Sequence, residues 1–383
     1  MLPQKLGLDV LIERGTGRLV TVEINGQYSG YQGLQTLEPT EDKGMQLVET
    51  LGEHVRGGQV LISPLFQEFY DSEDRIQRLL SYGARVTWGP PIGHQTTPDA
   101  YQELLGQPLS SFDAILGIGS YVQGSGLDER MINTPSLELM TCNKILQYHL
   151  LRNVKGLNMP RTWLFDTVYS ANKIRELLRR HGELVGKVLE GIQGNGVHVI
   201  NMDNIDEYAE FYTSAEIDFR VFERHGYEGS IIDTKSLRSF VLSLLAQNPA
   251  KAVDLFNERY EKQFLVAIQR FVQTIPVICQ ETGEAHHARA RLLWFGGYAG
   301  GYWALSSHPA SSNHTDNTIV NYTRTGKAQA FTPEQERIFK AYAETVVPRV
   351  LATATEYNNR TITYKQIMHE LAVQTFTGTR ARR

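Results

Sequence analysis

Two groups of residues in this chain have types and spacing suited to chemistry. The first lies in residues 182–200, which read as a strand, a glycine-rich turn and a second strand. Gly191, Gly194 and Gly196 let the backbone bend tightly and bring N–H groups close to a phosphate without Cβ interference. Lys187 stands on the entering strand, where an ammonium reaches phosphate oxygens. The same glycines also suit an ordinary β-hairpin. The second group is Asp9, Glu23 and Asn25. Glu23 and Asn25 are two apart on one strand and share a face. If the intervening turn centres on Thr16, Asp9 falls opposite Glu23, and such partners lie within roughly 5 Å at Cβ. Three oxygen-bearing side chains then converge, as a hard divalent cation requires. A hairpin whose polar residues simply face water is the other reading.

The elements that position these groups follow from periodicity. Residues 8–12 and 19–25 are strands flanking the turn Arg14–Arg18. A Gly/Tyr/Gln-rich loop runs from Gly26 to Leu37, and a helix begins near Pro39 to Asp42. Strands at 59–62, 84–88 and 114–118, with a helix at 74–82, predict a small parallel α/β domain. Residues 132–135 read as a strand end, 142–151 and 172–181 as helices, and 203–263 as mostly helical and polar. Strand patterns return at 264–272 and 288–306, and a long helix spans Pro333–Leu351. There is no internal repeat or low-complexity segment.

Bulk properties narrow the class. A chain of 383 residues predicts two or three domains. An apolar fraction of 41% with 21% charged residues fits a folded globular protein. The net charge of −4 argues against nucleic acid, and the arginines from Arg380 to Arg383 read as a frayed tail. Two cysteines, Cys142 and Cys279, cannot form a disulfide framework, so a reducing cytoplasm is expected. Neither a membrane span nor a signal segment is expected.

The run from Lys187 to Gly191, followed by Gln193 to Val197, resembles the phosphate loop of ATP-grasp ligases. The likeness is to the branch that includes the ribosomal-protein glutamate ligase and the D-alanine–D-alanine ligase. Gly7 to Leu11, a glycine turn, and Val22 to Asn25 resemble that family's metal-binding hairpin. In the family this hairpin closes the catalytic domain; here it opens the chain, so the chain looks circularly permuted. The implied fold is mixed α+β and α/β: two ATP-grasp subdomains clasping ATP, with a parallel α/β domain before them. The implied segments are the permuted hairpin (1–40), the α/β domain (41–135) and the small lid subdomain (136–202). A helical insertion (203–263), the large subdomain (264–355) and a C-terminal helix and tail (356–383) follow.

The resemblance also implies roles. Mg2+, as one or two ions, falls to Asp9, Glu23 and Asn25. The nucleotide falls to Lys144, Lys187, Glu190, Gly191, Gln193, Gly194, Gly196, Gln269 and Asn321. Arg270 replaces the acidic residue usual beside Gln269, which leaves the adenine contacts open. Arg289 and Arg291 share a face, and spacing alone does not choose the catalytic one; the distance to Gly296 and Gly297 favours Arg291. The natural lids are 191–196, 26–37 and 203–263. Cys279, His286 and His287 lack a second pair for zinc, and Gly117 to Gly126 lacks the dinucleotide fingerprint.

The implied reaction is ATP-dependent carboxylate–amine ligation through an acyl phosphate. An ATP-grasp kinase acting on a small molecule and a non-catalytic nucleotide-binding regulator are the alternatives. The expected substrates are a small-molecule or peptide carboxylate and an amine, with no nucleic-acid or membrane partner; a homodimer is an assembly the sequence allows.

Overall fold

The computed structural model describes residues 2–26, 32–37, 43–63, 73–90, 98–117, 128–166, 171–188, 197–207, 219–228, 234–261, 265–311, 327–359 and 371. The strands in chain order are β1 (Lys5–Ile12), β2 (Leu19–Asn25), β3 (Gln59–Ile62), β4 (Arg85–Trp88) and β5 (Ala114–Leu116), then β6 (Thr162–Asp166), β7 (Leu184–Val188), β8 (Val197–Ile200) and β9 (Leu265–Arg270). The last four are β10 (Val277–Ile278), β11 (Ala285–Phe295), β12 (Tyr298–Pro309) and β13 (Ala328–Ala330). The chain divides into two units. The first holds 1–143, 150–159 and 274–358, and the second holds 144–149, 160–273 and 359–383.

The first unit is built on a sheet ordered β13-β12-β11-β1-β2, with β10 also paired to β11. The N-terminal hairpin therefore joins strands almost three hundred residues later in the chain. The pairings of β1 with β2 and with β11 are both antiparallel. Alternation gives the sheet two unlike faces. Leu6, Leu8 and Val10 of β1 lie in one core with Ala290, Leu292 and Trp303. The helix Pro333–Asn359 covers that face with Phe339, Ala343, Val346, Val347 and Val350, a three-and-four spacing. The opposite face carries Lys5, Asp9, Arg289 and Arg291, and beyond them Leu293, Phe295 and Tyr302 enter a second core with the helix Lys43–His54.

That long helix runs past its expected end at Leu351 to Asn359. The apolar face continues through Ala354 and Tyr357, both buried, while Pro348 lies exposed within the helix. Its start is a capping box. The Gln335 backbone N–H donates to Thr332 Oγ1 at 3.3 Å, and Gln335 Oε1 accepts from the Thr332 N–H at 3.0 Å. Trp303 Nε1 donates to the same Gln335 oxygen at 3.1 Å, tying helix start to sheet.

The small parallel sheet expected at 59–118 is present in the order β4-β3-β5, with both pairings parallel. Three other expectations are corrected. Residues 32–37, read as loop, form a short helix lying over β12: a Cβ at Gly33 would sit 2.3 Å from the Tyr302 ring, so only glycine admits this approach. The strand end read at 132–135 is reduced to a single parallel bridge, Met131 with Ile115, after which the Ile132 N–H donates to the Ile115 carbonyl at 3.4 Å. The helical signal placed at 142 begins at Pro135, with Thr134 as N-cap and Pro135 at the first helical position, where its missing N–H costs nothing. That helix ends at Cys142, and a second runs Lys144–Leu151 beyond the extended Asn143.

The second unit centres on an antiparallel sheet ordered β6-β9-β7-β8. The helix Ala171–His181 packs Ile174 and Leu178 against Leu184, Ile200, Val266 and Ile268. The region 203–263 supplies the helices Phe219–Arg224, Thr234–Gln247 and Pro249–Glu261, as its composition predicts. Among the described residues, no helix is long and apolar enough to cross a membrane.

Replacing Thr332 with alanine removes one arm of the capping box. Chemical denaturation is expected to show a loss of about 1 kcal/mol, with the Trp303 environment perturbed through Gln335.

Candidate active site

The polar face of the first unit's sheet concentrates the predicted residues in two rows. Glu23, Asp9, Arg291 and Tyr302 stand directly across from one another on β2, β1, β11 and β12. Directly opposed residues of antiparallel strands share a face, so all four side chains project the same way. Asn25 stands opposite Gly7, one row along.

A β-bulge makes this alignment. From the turn outwards the pairs are Ile12↔Leu19, Leu11↔Val20 and Val10↔Thr21, and then the register shifts to Asp9↔Glu23. Val22 is the extra residue. Its insertion lets Thr21 face the long helix, where its hydroxyl lies 2.8 Å from that of Tyr342, while Glu23 faces the polar side. The turn itself uses Gly15 and Gly17 at positive φ, 86° and 65°. A turn centred on Thr16 thus gives the right partner for Asp9, but only because of the bulge.

Asp9 is the hub. Its side chain is 1% exposed. Oδ2 lies 3.0 Å from Arg289 Nη1 and accepts from Arg291 Nη2 at 3.1 Å and from Asn25 Nδ2 at 3.3 Å. Oδ1 faces Arg291 Nε at 2.5 Å, an ion pair that is off the hydrogen-bond line. Burial alone would lower the pKa of the Arg291 guanidinium. The neighbouring Asp9 charge, aided by Tyr302, Glu23 and the hydrogen bond to Asp9, raises it instead, so this group is a permanent cation. Arg289 and Arg291 both reach Asp9, as their two-residue spacing on one face implies.

The oxygen donors suit a hard cation by type, but not equally by availability. Three donors crowd Asp9 Oδ2, which has two lone pairs. Because the amide nitrogen of Asn25 faces Asp9, its carbonyl oxygen faces away and can accept a cation. Glu23, half-buried in the row of Asp9, brings a second oxygen-bearing side chain to the same face. Among the described residues, no group of three or more His, Cys, Asp or Glu side chains is placed to hold a metal ion.

In the second unit, Lys187 pairs with Ala267 and Val197, and Gln269 with Val185 and Thr162. Both therefore project from the face opposite the Leu184–Ile268 core, one row apart. Lys187 is buried, and Gln269 Nε2 donates to Thr162 Oγ1 at 3.2 Å. Lys144 opens the helix that follows Asn143. Glu190, Gly191, Gln193, Gly194, Gly196 and Asn321 lie outside the described residues.

No family model matches the chain, and no curated protein does. Among solved structures, it is similar to a RimK domain protein ATP-grasp from Sphaerobacter thermophilus, at 14% identity over 76% of this chain and 82% of that one, with a TM-score of 0.38. The D-cycloserine synthetase DcsG gives the same identity, coverage and TM-score. The D-alanyl-alanine synthetase A from Vibrio cholerae is 10% identical over 83% of this chain and 98% of that one, at a TM-score of 0.37. The chain is similar to ATP-grasp structures. Identities of 10–14% and TM-scores of 0.37–0.38 assign no residue of this chain a role.

Sequence reasoning missed two supports of the site. A Cβ on Gly301 would lie 2.8 Å from the Arg291 carbonyl oxygen and 2.6 Å from the Phe331 ring. Gly33 in turn makes room for the Tyr302 ring beside Arg291. Each glycine sat in plain view, yet nothing local marks which distant atom it must admit. Gly301→Ala is expected to push β12 from β11 and destabilise the protein by about 1–3 kcal/mol in urea unfolding.

Proposed function

We propose that this chain is an ATP-dependent carboxylate–amine ligase of the ATP-grasp type, circularly permuted, working with Mg2+ and forming an amide bond through an acyl phosphate. One observation carries the reading: Glu23, Asn25 and Asp9 meet Arg289 and Arg291 on one polar sheet face, joining cation-type oxygens to anion-binding guanidinium groups. The N-terminal hairpin completing the sheet of β10, β11, β12 and β13 supports the permutation.

Mg2+, when bound, neutralises phosphate charge during transfer. Glu23 and the Asn25 carbonyl are the residues that would hold it. Lys187, projecting from the sheet face opposite its core, binds phosphate oxygens as a point charge. The substrate carboxylate oxygen bonds to the γ-phosphorus of ATP as the bond to the bridging oxygen breaks, and ADP leaves. The amine then attacks the carbonyl carbon of the acyl phosphate, phosphate departs, and the ammonium proton is lost to solvent or phosphate. Arg291, a fixed cation, stabilises the oxyanion of that addition, with Arg289 beside it. None of these steps requires a protein nucleophile.

Calorimetry with Mg·ATP tests the nucleotide part. Lys187→Ala and Glu23→Gln should each weaken binding about tenfold or more, a loss near 1.4 kcal/mol; unchanged binding in Glu23→Gln would count against the hairpin as the cation site. ADP release should then require both a carboxylate and an amine. Trapping with hydroxylamine should yield a hydroxamate, whereas a stable phosphorylated product would identify a kinase.

A further inference from the structure

We propose that Asp9 is a positioning residue and not a metal ligand: its buried carboxylate gathers Arg289, Arg291 and the Asn25 amide, and leaves the cation to Glu23 and the Asn25 carbonyl oxygen. The proposal rests on the Mg2+-dependent reading above, and it reassigns the member of the oxygen set that spacing placed at its centre.

Three features of the site argue for it. Oδ2 already faces three donors, from Arg289, Arg291 and Asn25, at 3.0, 3.1 and 3.3 Å. Oδ1 faces Arg291 Nε at 2.5 Å. With a guanidinium nitrogen lying against each oxygen, a cation at Asp9 would have to displace a guanidinium and then sit beside it. Two fixed positive charges at that distance in a buried setting oppose a dication strongly. The side chain is also 1% exposed, against 14% for each arginine, so Asp9 lies beneath the guanidinium groups that cover it. Finally, Asn25 can donate to Asp9 only through its amide nitrogen, which turns its carbonyl oxygen away. Asp9 thereby orients the neighbouring cation ligand and fixes two arginines side by side. The buried Arg289 Nε, which has no hydrogen-bond partner among the described residues, is a donor left for an oxyanion of the substrate.

A half-buried metal ligand and a buried ion-pair anchor respond unequally to neutralisation when no metal is bound. Neutralising Glu23, which only borders the arginine pair, removes a modest attraction from the metal-free protein. Removing an anchor strands buried guanidinium groups and destabilises it. The experiment is thermal unfolding in chelator and in excess Mn2+, for the wild type, Glu23→Gln and Asp9→Asn. Asp9→Asn should lower the chelated Tm by about 5 °C or more yet keep a Mn2+-induced rise. Glu23→Gln should lower the chelated Tm by less than Asp9→Asn does and lose that rise. Loss of the rise in Asp9→Asn overturns the proposal, whatever its chelated Tm.

A second readout separates positioning from general loosening. Phenylglyoxal modification, mapped by mass spectrometry, should quicken several-fold at Arg289 and Arg291 in Asp9→Asn, and not at the other arginines. Uniform acceleration, or none, counts against an anchor. Should Asp9→Asn fail to fold, the triple variant Asp9→Leu, Arg289→Met, Arg291→Met has no stranded charge; a retained Mn2+ rise in it supports the proposal, and a lost one overturns it. If the wild type itself shows no Mn2+-induced rise, the Mg2+ reading fails, and the chelated Tm of Asp9→Asn alone decides the role of Asp9.

Discussion

A single buried carboxylate shared between two guanidinium groups is the constraint around which the first unit is arranged. Taking three charges out of water is costly, and the attraction among them repays this only with good geometry. That geometry depends on strands from opposite ends of the chain. Asp9 comes from β1 and the arginines from β11, and the two strands run antiparallel with Asp9 directly opposite Arg291. Gly301 on β12 lets the Arg291 backbone approach closely, and Tyr302 adds its field from the next strand. A slip of one residue anywhere in this ladder would turn a charged row into the apolar core.

The two faces of the sheet divide the labour. One is apolar and covered by the long helix, whose capping box is joined to the sheet through Trp303. The other carries the charges. Rigidity on the first side positions the charged row on the second, because β1 contributes alternate residues to each. The bulge at Val22 marks where the same hairpin serves both demands: Thr21 is turned to the helix and Glu23 to the charged row. The second unit repeats the principle on a smaller scale. Its sheet packs one face on the helix Ala171–His181 and presents Lys187 and Gln269 from the other.

Much of this was legible in the sequence because it is local. Alternation predicted β1 and β2, the parallel β3–β5 sheet, and the strands that carry Lys187 and Arg291. The long helix was legible from Pro333, although its end was placed at Leu351, soon after Pro348 and short of Asn359. On an exposed side of a helix packed beyond that point by Ala354 and Tyr357, the proline is tolerated. Two-residue spacing put Glu23 with Asn25, and Arg289 with Arg291, on common faces. The helix at 32–37 was missed because its glycine reads as loop, when it serves a close approach to Tyr302.

The sequence by itself determined which residues could do chemistry and which faces of their own elements they occupy, since both follow from side-chain type and backbone period. Only the tertiary structure decided what those residues meet. The Asp9–Arg291 contact joins positions 282 apart, and no local pattern encodes a partner at that distance. The bulge, the turned-away carbonyl of Asn25 and the commitment of Asp9 to two arginines all arise from strand pairing. Pairing between remote segments is selected by the packing of the whole sheet, so the charge environment of each site residue exists only once that sheet has formed.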